Sequence, residues 1–261
     1  MQRISKFIFM KIVIAQMPVA QGNPEKNFQT ISSIVEKAKS EAATLVVFPE
    51  LCLSGTIVGD AFFRKSFVDE CLEKGNAIAS LTSGIDILFG NIAKENNELY
   101  NAAYYASQGC FLKLSKQAGK ELSFLSKNIL KGSRASRYFS SPCLENIYYP
   151  EIQGKLKVGI SISENLDDLE QVASSLLNEK NVVIHLASDF YEIGKHKELS
   201  RKCKHISEKF ETSVLYINAS GVLNEGKNVY ALEGCSLVFK NGKILDKAPF
   251  LKEALLIFDK E

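Results

Sequence analysis

No apolar run in this chain approaches the ~18 residues that a membrane-spanning helix needs. Neither charge sign is in clear excess: 32 basic and 30 acidic residues leave a net charge of +2. That balance provides no electrostatic footprint for nucleic acid or for an anionic membrane surface. The six cysteines contain no C-x-x-C pair, and the three histidines show no metal-ligand spacing. A zinc site and a disulfide framework are therefore not expected, and no cofactor is implied. Reduced thiols in a cytoplasmic protein are the expectation, with packing roles for Cys110 and Cys143. The first ten residues are basic and then apolar, but too short for a secretory apolar region and without a small-residue cleavage site. They read as a short arm or an upstream start, ahead of a single domain over residues 11–261. No Pro/Gly/Ser linker and no internal repeat interrupts that span.

The elements that are present alternate. Lys11 to Gln16 is a β-rich run closed by Met17-Pro18. Pro24 to Ala43 has helical spacing, with Asn23 as its N-cap and proline in the first turn. Leu45 to Phe48 is a continuous apolar run, as a strand covered on both faces requires. A helix is predicted over 60–81 and a strand over 86–92. A hairpin is predicted over 99–106 and 110–114, turning at Ser107-Gln108-Gly109. Residues 116–141 read as a long polar loop. Strands are predicted over 148–152, 155–162, 182–186 and 214–218, with helices over 166–178 and 195–211. A hairpin over 230–240 and 243–245 turns at Asn241-Gly242, and 254–259 is a closing strand. Strands alternating with amphipathic helices imply a layered α/β fold.

Three apolar strands end on polar groups, and strand ends are where α/β sheets build sites. They are Glu50 after Pro49, Lys116 after the 110–114 strand, and Ser163-Glu164 after Val158 to Ile162. A carboxylate, an ammonium and a nucleophile in one place suit acyl transfer from an amide. The carboxylate takes the nucleophile's proton and returns it to the leaving nitrogen. The ammonium stabilises the oxyanion or keeps the carboxylate ionised.

Several blocks give these groups a context. Val47-Phe48-Pro49-Glu50-Leu51-Cys52-Leu53-Ser54-Gly55 resembles the P-E-L-x-L-S-G signature of the nitrilase (carbon–nitrogen hydrolase) superfamily. Tyr100-Asn101-Ala102-Ala103 resembles its Y-N-A-A strand, and Arg137-Tyr138-Phe139 its R-Y-F segment. Ser188-Asp189-Phe190 resembles N-A-S-P-F, and Phe250 to Leu256 the F-x-E-A-L-L ending. Within the superfamily the chain is most similar to the glutamine-hydrolysing domain of glutamine-dependent NAD synthetase. The resemblance implies a four-layer α-β-β-α sandwich, two mixed sheets face to face with helices outside. It also implies a homo-oligomer and a glutamine-like small amide or carboxylate as ligand.

Carried over by position, Glu50 falls on the family's general base. Lys116 falls on the lysine of Y-R-K-x-H-L, with a one-residue gap and with Lys113 as the alternative. Ser163 falls on the nucleophilic cysteine of I-C-E-D-x-W, and Glu164 on its glutamate. Substrate contacts are implied at Glu164, Ser188 and Phe190. The departures are several. Asn165 and Asp167 replace the aspartate and tryptophan, Thr56 replaces a tyrosine, and Ala135 stands near the position of a second glutamate. Loss spread over several positions is what decay or repurposing leaves, and a single engineered change does not.

A serine hydroxyl is far less acidic than a thiol, whose ordinary pKa is about 8.5. It normally needs a stronger base such as histidine. The leading expectation is therefore a catalytically impaired, glutaminase-like binding or scaffold subunit. A separate ammonia-dependent NAD synthetase is its expected partner, because the synthetase domain of the resembled proteins does not follow Glu261. The rivals are an active amidase that releases ammonia, and a small-amide sensor in which Lys116 meets the ligand's oxygen.

Overall fold

The structure, a computed structural model, describes residues 10–152, 156–162, 166–176, 181–224 and 226–260. Among these, two large sheets form the centre. The first has seven strands, with the order Ala254–Lys260, Met10–Gln16, Leu45–Val47, Asp86–Glu95, Glu98–Ser107, Cys110–Phe111. Leu125–Ser126 pairs beside Glu98–Ser107. The second runs Glu151–Ile152, Leu156–Ser161, Val182–Ala187, Ser213–Asn218, Leu237–Lys240, Lys243–Lys247. Both sheets mix parallel and antiparallel pairs.

Side-chain alternation explains the layers. Ile12 and Ile14 of one sheet and Val158, Ile160, Ile184 and Ile217 of the other share one buried cluster between the sheets. Val13 and Ala15 turn the other way, onto Ile31, Ile34, Val35 and Ala38 of helix α1 (Pro24–Ser40). Helix α2 spans Lys65–Ala79 and adds Ile78 to that layer. On the far side, Val183, Val214 and Phe239 pack against helices α3 (Asp167–Ser175) and α4 (Lys195–Lys209). The result is the expected α-β-β-α sandwich.

Local chemistry sets the boundaries. Asn23 caps α1 by accepting the Lys26 N–H at 3.0 Å, with Pro24 in the first turn. The helix predicted over 60–81 is divided: Gly59–Phe63 is a 3₁₀ turn, and Arg64 is extended before α2 begins. The strand predicted over 230–240 is likewise two strands, Val229–Glu233 and Leu237–Lys240. They are separated where Gly234 and Cys235 both take positive φ. A side chain on Gly234 would meet the Gln16 amide at 2.5 Å, so glycine is required there.

The predicted 116–141 loop carries more structure than expected. Ser115–Gln117, Lys120–Leu122 and Asn146–Ile147 form a small separate sheet. Cys110 and Cys143 are exposed, so neither has the predicted packing role; the other four cysteines are buried. Among the described residues, no helix is long and apolar enough to cross a membrane and no acidic, His or Cys cluster could hold a metal ion.

Candidate active site

Glu50 stands just beyond the Leu45–Val47 strand, where the chain leaves the first sheet. Its N–H reaches the Ala187 carbonyl at 3.3 Å, which joins the ends of the two sheets. The turn crosses Gly90 so closely that a Cβ there would lie 2.5 Å from the Glu50 Cα. The Glu50 side chain is buried and doubly clamped. Asn101 Nδ2 donates to its Oε1 at 2.5 Å, and Lys127 Nζ donates to the same oxygen at 2.7 Å. Both bonds fall on Oε1 rather than on Oε2.

Lys127, not Lys116, is therefore the ammonium of the site. Lys116 lies in the small outer sheet, one-third exposed, 3.8 Å from Glu145; Lys113 is exposed. The reason is strand register. Leu125–Ser126 pairs with Ala102 and Ala103, and the next N–H, that of Lys127, donates to the Asn101 carbonyl at 2.7 Å. That step sets Lys127 and Asn101 side by side over Glu50. A signal for it existed in the sequence: Lys127-Asn128-Ile129-Leu130 keeps the K-x-x-L spacing of the resembled motif, which Lys116 does not.

Glu50, Asn101 and Lys127 line a cavity of about 270 Å³ together with Ser188, Asp189, Phe190 and Lys195. Thr56 and Ala135, two of the positions that depart from the resembled pattern, line it as well, and Phe139 closes one wall. Ser188 and Phe190 thus fall where the resemblance places ligand contacts. Ser163 and Glu164 lie outside the described residues. The Leu156–Ser161 strand that leads toward them pairs Ser161 with His185 of the neighbouring strand.

Behind the strand ends runs a buried polar chain that sequence reasoning missed. His185 Nδ1 and Ser161 Oγ are 3.0 Å apart, and the imidazole stacks on the Tyr216 ring. Tyr216 donates to Asp189 Oδ2 at 2.8 Å, and Lys195 Nζ donates to Oδ1 at 3.1 Å. Asn218 fixes the Asp189 backbone, accepting its N–H at 2.8 Å. Burial pushes His185 down to about 4, so it is neutral at pH 7. Burial also acts to raise the Asp189 carboxyl. The Lys195 charge and the Tyr216 hydroxyl outweigh it, leaving Asp189 below its ordinary value. Burial acts to lower Lys195, yet the Asp189 charge holds it above its ordinary value.

The Carbon-nitrogen hydrolase family pattern matches residues 11–259. The chain belongs to the carbon–nitrogen hydrolase family. Curated relatives of this hydrolase-family chain include the glutamine-dependent NAD(+) synthetase of Synechocystis sp., 26% identical over 270 residues. That match covers 95% of this chain and 46% of the synthetase. The enzyme of the same name from Xylella fastidiosa is 24% identical over 253 residues, covering 96% of this chain and 44% of its own length. The chain thus spans less than half of the synthetases it matches.

Among solved structures, the glutamine-dependent NAD+ synthetase of Acinetobacter baumannii superposes with a TM-score of 0.81 at 24% identity. It covers 96% of this chain and 45% of that one. An amidase from Nesterenkonia sp. superposes with a TM-score of 0.73 at 17% identity, covering 96% and 89%. At these identities the structural likeness shows the fold alone, and the family assignment rests on the match over residues 11–259.

Proposed function

We propose that this carbon–nitrogen hydrolase homologue binds a glutamine-like amide or carboxylate and turns it over slowly, acting as a catalytically impaired subunit. The observation that carries the reading is the buried Glu50–Lys127–Asn101 cluster in a cavity that Ser188 and Phe190 also line. An acid–base pair has been kept while serine occupies the nucleophile's place in the sequence.

In an amide hydrolysis at such a site, the nucleophile's oxygen or sulfur attacks the carbonyl carbon as Glu50 accepts its proton. Lys127 and neighbouring donors stabilise the oxyanion. Glu50 then returns the proton to the leaving nitrogen as the C–N bond breaks, and water hydrolyses the acyl intermediate. With a hydroxyl in place of a thiol the first step has the higher barrier, because a carboxylate is a poor base for so weak an acid.

The names of the relatives suggest glutamine as ligand; a separate ammonia-dependent NAD synthetase as partner and a cytoplasmic homo-oligomer belong to the same proposal. The alternative is an active amidase that releases ammonia, favoured by the intact Glu50–Lys127 contact. Ammonia release from glutamine, measured beside a Ser163→Cys variant, separates the two. Strong turnover by the unaltered protein overturns the impaired reading. Little turnover by it, with measurable glutamine binding, supports that reading. Recovery of turnover in the Ser163→Cys variant then shows that the serine alone sets the loss. The partner is tested by co-purification from the native cell, and recovery of self-assembled protein alone counts against it.

A further inference from the structure

A second cavity, of about 290 Å³, shares no described lining residue with the Glu50 cavity. The two meet at one stretch of chain. Lys127 lines the Glu50 cavity, while Ser126 and Asn128, its neighbours on either side, line the second, as the alternation of an extended segment directs. Leu125, Tyr149, and Ile160 and Ile162 of the second sheet give this cavity apolar walls. Helix α3 supplies its polar side. Asp168, Gln171, Val172 and Ser175, spaced by three and four residues, form one stripe of the helix along the cavity.

Two features of the lining point to a ligand. Ser126 is only 6% exposed, and its Oγ is buried without a hydrogen-bond partner among the described residues. A buried hydroxyl left unpaired is a cost that a ligand's polar group removes. The second feature is charge. Among the described lining residues the Asp168 carboxylate is the only charged side chain, and no cation lines the cavity to answer it. An anion entering there meets a like charge, whereas a cation meets a partner beside apolar walls. A concave, largely apolar space with a few polar groups of this kind is how small-molecule sites are built.

We propose that this cavity is a second ligand site, separate from the Glu50 cavity, and that it takes a compact amine. The ammonium donates to the Asp168 carboxylate and to Ser126 Oγ, and a short apolar or aromatic body lies against Tyr149, Ile160 and Ile162. The site stands independently of the amide-binding reading, because none of these residues lines the cavity that Glu50 and Lys127 share.

Calorimetric titration with two probes of similar body and opposite charge tests it: phenethylamine, which carries an ammonium, and 3-phenylpropionate, which carries a carboxylate. The titrations use the full chain, unaltered and as Asp168→Asn and Ser175→Trp. The unaltered protein is expected to bind the amine more tightly than the carboxylate by about tenfold or more. Asp168→Asn removes that preference by weakening the amine alone. Ser175 is exposed on the α3 stripe, so a tryptophan there fills the cavity without entering the core, and Ser175→Trp is expected to weaken the amine by about tenfold or more. Circular dichroism of each variant verifies the fold. Equal binding of the two probes, a preference that survives Asp168→Asn, or no binding of the amine overturns the proposal. Full affinity for the amine in Ser175→Trp places the amine elsewhere on the protein and overturns it as well.

Discussion

The two flanks of the cavity are built on different plans. On the first-sheet flank, Glu50, Asn101 and Lys127 come from three distant places and converge on a single carboxylate oxygen. On the second-sheet flank, Ser161, His185, Tyr216, Asp189 and Lys195 form a chain of contacts leading outward from the strand ends. The first flank supplies the carboxylate and ammonium that the resemblance implies, beside the departures Thr56 and Ala135; the second places Asp189 in the cavity wall, where the resembled pattern has proline. A convergent cluster tolerates little change, because removing one member strands a buried charge. A linear chain can lose or gain a link at lower cost.

Removing one member of each flank tests that contrast, and the largest effect is expected on the first. Lys127→Met leaves the Glu50 carboxylate buried with no cation and is expected to cost about 3–5 kcal/mol in urea denaturation. Lys116→Met, at an exposed pair, is expected to change stability by less than about 0.5 kcal/mol. Equal effects at the two lysines would break the assignment of Lys127.

The next effect belongs to the second flank and depends on pH. The folded protein keeps His185 neutral down to about pH 4, while the unfolded chain protonates it below its ordinary 6.5. Between those values the unfolded state binds more protons, so stability falls as pH drops from 6.5 toward 4. At about 1.4 kcal/mol per pH unit the loss is about 3 kcal/mol. A His185→Gln variant keeps a polar partner for Ser161 and should lose less stability across that window. Parallel pH–stability curves for the two proteins would refute the buried neutral imidazole.

Two glycines extend the comparison. A Cβ on Gly90 meets the backbone of Glu50 and Leu51, which cannot give way without moving the Glu50 turn. A Cβ on Gly159 meets the methyl ends of Leu176 and Val172, which can turn aside. Gly90→Ala is expected to cost about 3 kcal/mol and Gly159→Ala about 1 kcal/mol, the two ends of the overpacking range. Thermal unfolding measures both, and the reverse order would mean that the second flank is the stiffer. Tyr216→Phe falls between the two glycines in the same thermal measurement. It removes one hydrogen bond to a charged carboxylate, worth about 1.5 kcal/mol.

Much of the layered fold was legible because it rests on local signals. The continuous buried runs at 12–15 and 182–186, the Asn23 cap and the Asn241-Gly242 turn each depend on a few neighbouring residues. The broken elements were not legible. The extended Arg64 divides a helical pattern, and the Gly234-Cys235 step divides a strand, because Gln16 presses on it from far away in sequence. The exposed thiols of Cys110 and Cys143 were hidden for the same reason, since exposure depends on what packs over a segment.

The site divides along the same line. Glu50, Ser188 and Phe190 could be read from the sequence because each sits inside a block with its own recognisable pattern. The ammonium could not be read as securely, because Lys116 and Lys127 both follow short apolar runs. Residue chemistry, spacing and the family blocks determined the α/β sandwich, the family and the candidate carboxylate Glu50. Only the tertiary structure decided which lysine meets that carboxylate, and that Lys195 lines the same cavity. The first outcome depends on strand register between segments far apart in the chain, and no local preference encodes that pairing.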